Sequence, residues 1–193
     1  MDQLAQILTG FEAYLKKINA PILKKLNPGI KVKEQLDLIG NLSLPPEVNT
    51  LYSWKNGTNI LPEDSFGILW LFDFGAFLPL SEAVKLYSDG VNNVEKWDKS
   101  KFPLFVSGGG EFYLLECDPD NKNFGMIYFH SVGDIEIDVI VTKYDSIQAF
   151  FASTLKCYEQ GAYTFSDEGE LVFNFGLECK ICSKLNPNAD FWK

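Results

Sequence analysis

Apolar side chains recur at Leu4, Ile7, Phe11, Leu15 and Ile18. This spacing puts them on one face of an α-helix and predicts an amphipathic helix over 3–18. Pro21 and Pro28-Gly29 punctuate the next stretch of chain. A shorter helix is expected over 33–39, closed by Gly40. Pro45-Pro46 opens another, with Val48, Leu51 and Tyr52 on one face and Asn56-Gly57 closing it. The pattern then changes to short strands. Gly67 to Phe72 is apolar on both faces, which predicts a central strand. Ser81 reads as the N-cap of a short helix through Tyr87. Phe102–Val106 and Glu111–Glu116 flank Ser107-Gly-Gly-Gly110, the composition of a hairpin, and 125–130 and 135–142 continue an antiparallel meander. Asp145-Ser146 caps a helix carrying Ile147, Phe150, Phe151, Leu155 and Tyr158. The tail holds an acidic turn, a short apolar piece and an amphipathic helix over 176–185. With no repeat and no low-complexity linker, the reading is a single α+β domain.

Composition narrows the function classes. Of 193 residues, 46% are hydrophobic, enough to bury a core without a disulfide scaffold. All 17 basic residues are lysines against 26 acids, a net charge of −9. Arginine supplies the bidentate fork that recognises phosphates and base edges, so an acidic chain lacking it argues against nucleic acid as a partner. Residues 1–33 carry six lysines and two acids; the remaining residues carry −13. Such a body attracts cationic proteins. The longest apolar stretch, Phe66–Leu80, is interrupted by Asp73, Gly75 and Pro79 and is too short to span a bilayer. The start has no secretory pattern, so a cytoplasmic location with four reduced cysteines is expected. Cys179-x-x-Cys182 is one half of a zinc knuckle without a second half, and reads as packing on a helix face.

No catalytic, cofactor or metal constellation emerges. His130 is the only histidine and lies in an aromatic strand, as a core or edge residue would. The glycine run at 107–110 precedes a strand, whereas a phosphate cradle opens a helix. Asp118-Pro-Asp120-Asn-Lys-Asn123-Phe-Gly125 departs from a calcium loop at positions five and twelve and reads as a turn. One charged pattern remains. Asp134, Glu136 and Asp138 alternate with Ile135, Ile137 and Val139, so on a strand they share a face about 7 Å apart at ~3.3 Å per residue. Unbalanced like charges on one face favour a cationic partner, although a merely solvated sheet face explains them too. Glu111, Glu116 and Asp118 in neighbouring strand positions would widen the patch, and Tyr113 or Tyr128 would supply buried anchors for a partner. Two carboxylates could also form a glycosidase pair, but nothing in the chain locates an acid of raised pKa.

The order of several motifs resembles the SUKH superfamily, which includes bacterial immunity proteins and a fungal regulator of cell-wall assembly. Leu44-Pro45-Pro46-Glu47-Val48, then Leu51-Tyr52 and Asn56-Gly57, is similar to that family's opening block. Phe77-Leu-Pro79-Leu, Phe102-Pro-Leu-Phe105, Gly110-Glu-Phe112, Asp118, Gly125 and Tyr144-Asp145-Ser-Ile147 come after it in the expected order. Lys184-Leu-Asn-Pro187 and Phe191-Trp192 look like the ends of longer bacterial members. The resemblance implies a central, mostly antiparallel sheet flanked by helices. It assigns 34–160 as core, 1–33 as a basic helical extension and 161–193 as a helical tail. It also implies a non-enzymatic binding role without cofactor, most often neutralising a cognate toxin; a scaffold or regulator that binds cellular proteins is the alternative. The matching Pro45, Asn56, Gly57, Pro79 and Asp145 carry structural roles, and the family's toxin-binding surface does not transfer residue by residue. The triple glycine at 108–110 departs from the aspartate-containing turn common in the family.

Overall fold

The computed structural model describes residues 2–32, 42–93, 98–132 and 138–193. Helix α1 (Gln3–Lys17) starts at Asp2, whose carboxylate accepts the Leu4 N–H at 3.0 Å. Leu4, Leu8, Phe11 and Leu15 are buried, while Ile18 falls at the C-cap, partly in solvent. Their stripe packs on α5 (Ile147–Glu159): Phe11 meets Phe151 and Tyr158 at 5.6 and 5.9 Å between ring centres, and Tyr14 OH donates to the Tyr158 carbonyl. The predicted helix over 33–39 lies outside the described residues.

Helix α2 (Glu47–Trp54) comes directly after Pro45-Pro46 and buries Val48, Leu51 and Tyr52 as the pattern predicts. The chain then enters β2 (Lys55–Thr58), paired antiparallel with β1 (Leu26–Pro28). Asn56 and Gly57 act here on a distant element. The Asn56 side-chain oxygen accepts the Leu80 N–H at 2.9 Å and so satisfies a first-turn donor of α4 (Leu80–Asn93). Gly57 has φ +73°, and a Cβ there would stand 2.1–2.5 Å from the Leu78–Pro79 backbone.

The main sheet has six strands in the order β3 (Trp70–Phe72), β4 (Gly75–Phe77), β5 (Lys101–Val106), β6 (Glu111–Glu116), β7 (Ile127–Val132) and β8 (Asp138–Tyr144). Every described pairing is antiparallel. Phe150 of α5 seats among Phe72, Phe105 and Tyr144, with ring centres 4.6–5.0 Å apart. Ser146 caps α5 by accepting the Ala149 N–H, while Asp145 accepts the Asn188 backbone and side-chain N–H groups and ties the C-terminal segment to the sheet.

The central strand expected at Gly67–Phe72 is corrected. Phe66–Leu69 form a single helical turn, α3, and only Trp70–Phe72 is strand, at the edge of the sheet. Two-sided apolarity has another cause there: a register shift buries Leu71 and Phe72 in succession, and a second hairpin covers the outside. That hairpin, β9 (Tyr163–Phe165) with β10 (Leu171–Phe173), occupies the stretch read as an acidic turn and a short apolar piece. Helix α6 (Phe175–Leu185) comes next, with Ile181 and Cys182 buried. Side chains from α1, the sheet, α5, β10 and α6 belong to one core cluster, so the described terminal segments share the core of the sheet. No helix among the described residues is long and apolar enough to cross a membrane.

Candidate functional site

The sheet register decides which of the singled-out acids meet. Asp134 and Glu136 lie outside the described residues. Asp138 opens β8 opposite Val132, and Glu111 opens β6 opposite Ser131, which itself faces Val139. Asp138 and Glu111 thus lie at one end of the sheet, two strands or about 10 Å apart, but Glu111 shares its row with Val139, so the register puts the two acids on opposite faces. The Glu111 carboxylate accepts the Ser107 hydroxyl, and Ser107 Oγ accepts the Gly109 N–H at 2.8 Å. These bonds close the glycine turn, where Gly108 and Gly110 have φ +85° and +104°.

Glu116 and Asp118 do not join that end. They sit five to seven residues along, roughly 17–23 Å away at ~3.3 Å per residue. Glu116 is 0% exposed and bonded to Lys101 Nζ at 2.7 Å, Asn121 Nδ2 at 3.0 Å and the N–H groups of Cys117 and Asp118. Its charge is spent inside the protein, closing the β6–β7 connection, and is withdrawn from the acidic face. Tyr113 is likewise corrected as a surface anchor. It is fully buried and donates its hydroxyl to the Asp73 carbonyl at 2.7 Å. Tyr128 stays half-buried, with Lys101 Nζ 4.4 Å from its ring centre and Asn123 donating to its hydroxyl. Asp118 accepts the Asp120 N–H and Asn121 Oδ1 the Asn123 N–H, the bonding of a tight turn. His130 on β7 is half-buried beside Phe112, its Nδ1 shielded from solvent.

The largest concentration of buried charge is one the sequence did not mark. Lys143 on β8 is 1% exposed. Its Nζ contacts Asp73 Oδ2 at 3.3 Å and Tyr113 OH at 3.2 Å. The same nitrogen lies 4.4–5.4 Å from the ring centres of Phe191, Phe129, Tyr113 and Trp192, an aromatic cage around a desolvated cation. Glu178 on α6 is also fully buried and accepts the Tyr163 hydroxyl at 2.5 Å. Burial first, and then the Asp73 charge, push the Glu178 carboxyl up to about 7. Burial raises Asp73 as well, with Lys143 pulling the other way. Among the described residues, Asp73 Oδ1 and Glu178 Oε2 find no hydrogen-bond partner. Acids of raised pKa are therefore present, but inside the core, where Asp73 is tied to Lys143 of β8 and Glu178 to Tyr163 of β9. Asp73, Lys143 and Glu178 are 35 to 105 residues apart along the chain, so no local motif could announce them.

Cys182 and Cys157 place their sulfurs 4.0 Å apart in the core, and Cys179 is half-buried on the same helix. The neighbouring Cys157 sulfur and burial push the Cys182 thiol up, the environment of an inert packing thiol. Among the described residues, no group of three His, Cys, Asp or Glu is placed to hold a metal ion.

The model of the SMI1 / KNR4 family (SUKH-1) matches residues 31–153, from before α2 into α5. No curated protein matches the chain. The match spans well over half of the 193 residues and contains the whole six-stranded sheet together with the Asn56-Gly57 clamp on α4. The chain belongs to the SMI1 / KNR4 family (SUKH-1).

Proposed function

We propose that this protein is an immunity protein that binds and covers a cognate secreted toxin domain of basic charge. The family covers both immunity proteins and Smi1/Knr4-like proteins, and its members are generally non-enzymatic binding proteins. The observation that carries the choice is charge: −13 beyond residue 33, with Glu111 and Asp138 brought to one end of the sheet and Asp134 and Glu136 on the segment leading into β8. An acidic surface of this kind offers carboxylates where a nuclease-like cleft would hold its polyanion, and accelerates encounter by ~10–1000-fold at low salt. The cell-wall-regulator reading, binding cellular proteins, is the alternative within the same family.

The test is co-purification with the product of the adjacent reading frame, repeated at low and high salt. A tight complex that weakens with salt and abolishes the neighbour's toxicity is the expected result. Reversing Glu111, Asp134, Glu136 and Asp138 to lysine should flatten the salt dependence and lower affinity. Unchanged affinity and salt slope would remove the acidic end from the interface. No complex at all would shift weight to the regulatory reading.

A further inference from the structure

Beside the acidic end, the sheet edge displays aromatic rings that the fold could have buried or dispensed with. Phe74, in the turn between β3 and β4, is 40% exposed. Its ring contacts Trp70 at 4.9 Å and Phe173 of β10 at 5.0 Å, both nearly perpendicular. Trp70 Nε1 donates to the Ser107 carbonyl, and Phe66, 48% exposed, lies against Gly108, where a Cβ would come within 2.2–2.4 Å of the ring. The rings therefore form one ledge running from the β9–β10 hairpin, over the β3–β4 turn, to the glycine turn that Glu111 closes.

The ledge is held at a conformational cost. Phe74 has φ +53°, in the left-handed region. Asn19 is the other described non-glycine residue there, and asparagine tolerates it far better than a bulky aromatic. Tyr113 OH fixes the Asp73 carbonyl, Lys143 fixes the Asp73 carboxylate, and Gly75 leaves room for the Phe72 ring, so the turn has little freedom. A strained backbone over-determined by buried groups, with a large ring outside, is the pattern of a pre-organised binding residue. Aromatic anchors mounted this way lose little freedom on binding and supply most of the energy at protein interfaces.

Charge chooses the occupant. Glu111 flanks one side; Asp167, Glu168 and Glu170 of the β9–β10 turn flank the other, with Glu170 bonded to Ser65 and packed against Gly67. None of these four acids forms an ion pair among the described residues. A second copy would set rims of the same sign against each other. We infer that the ledge of Trp70, Phe74, Phe173 and Phe66 is the docking surface for a basic protein segment with an exposed aromatic or aliphatic anchor. This rests on the immunity reading for the partner's identity, but not for the chemistry of the surface.

The experiment titrates the isotope-labelled full chain with two peptides, Ac-Lys-Trp-Lys-Trp-NH2 and Ac-Glu-Trp-Glu-Trp-NH2, and follows backbone amides by NMR. The cationic peptide should shift residues 70–74, 107–111 and 171–173, and bind several-fold more weakly between about 50 and about 300 mM salt. The anionic peptide should bind about tenfold more weakly or worse. Phe74→Gly, which suits the positive φ, should keep the fold while losing about tenfold in affinity for the cationic peptide; Leu185→Ser, at an exposed position on α6, should change nothing. Shifts scattered over the acidic surface, or Phe74→Gly titrating like the parent, would overturn the docking surface. Concentration-dependent shifts without peptide that vanish in Phe74→Gly would overturn the basic partner in favour of a second copy. The two readings fail separately. A complex with the neighbouring gene product that Phe74→Gly leaves intact removes the ledge alone, whereas peptide binding without such a complex removes the immunity reading alone.

Discussion

Replacing Glu178 with glutamine should make the protein more stable at alkaline pH while leaving it almost unchanged in mild acid. In the folded chain the Glu178 carboxyl is held up to about 7, against a usual 4.5. Between those two values the folded state keeps a proton that the unfolded chain has released. Stability therefore falls as pH rises from about 4.5 and levels off above about 7. At about 1.4 kcal/mol per pH over that span, the full change is ~3 kcal/mol, most of which falls between pH 5 and pH 8. Glutamine keeps an oxygen for the Tyr163 hydroxyl and carries no charge at any pH, so Glu178→Gln removes this titration. Asp73 is raised too, and its charge is one cause of the Glu178 shift, so the difference between parent and variant reads Glu178 together with that coupling. Urea midpoints of parent and variant at pH 5, 6, 7 and 8 give the comparison, with m-values checked for constancy. The gap should open with pH, the variant being more stable by about 2–3 kcal/mol at pH 8. Parallel curves, or a variant less stable than the parent at pH 8, would refute the placement of Glu178 as a buried, largely uncompensated acid.

Lys143→Met should cost about 3–5 kcal/mol by urea unfolding, because it strands the buried Asp73 carboxylate, and adding Asp73→Asn should recover at least half of that loss. Gly57→Ala should leave little soluble protein or lower stability by more than about 4 kcal/mol, since it meets both a positive φ and the Leu78–Pro79 backbone; Asn56→Ala, which only orphans the Leu80 N–H, should cost about 1–2 kcal/mol in the same urea assay.

What the sequence made legible was local. The stripe of α1, the caps of α2 and α5 and the β5–β6 hairpin depend on neighbours within a few residues, and each lies where periodicity puts it. The placement of Gly67–Phe72 was not legible, because its second apolar face is covered by a hairpin a hundred residues later. Glu116 looked like a surface acid because strand alternation carries no information about a charge partner. A signal was nevertheless available: a four-residue turn between the two predicted strands puts Lys101 opposite Glu116, the pair that the structure buries. Nothing comparable links Asp73, Lys143 and Glu178, which only the closed sheet and α6 bring together. The exposed ledge escaped for the opposite reason, since aromatic side chains in an apolar run read as core.

The packing of α1 on α5 sets an order of events during synthesis. Among the described elements α1 is made first, and Phe151 and Tyr158, which close over its Phe11, emerge about 140 residues later. At roughly 5–20 residues per second that interval is about 7–28 s. Trp54 of α2 comes earlier and shields part of the same ring. Until α5 leaves the ribosome, the part of the stripe that α2 does not cover is without its native partner on the nascent chain. The earliest of the described helices to be translated is among the last to be finished, and mutations along Leu4, Leu8 and Leu15 should show more strongly in yield from translation than in refolding of the released chain.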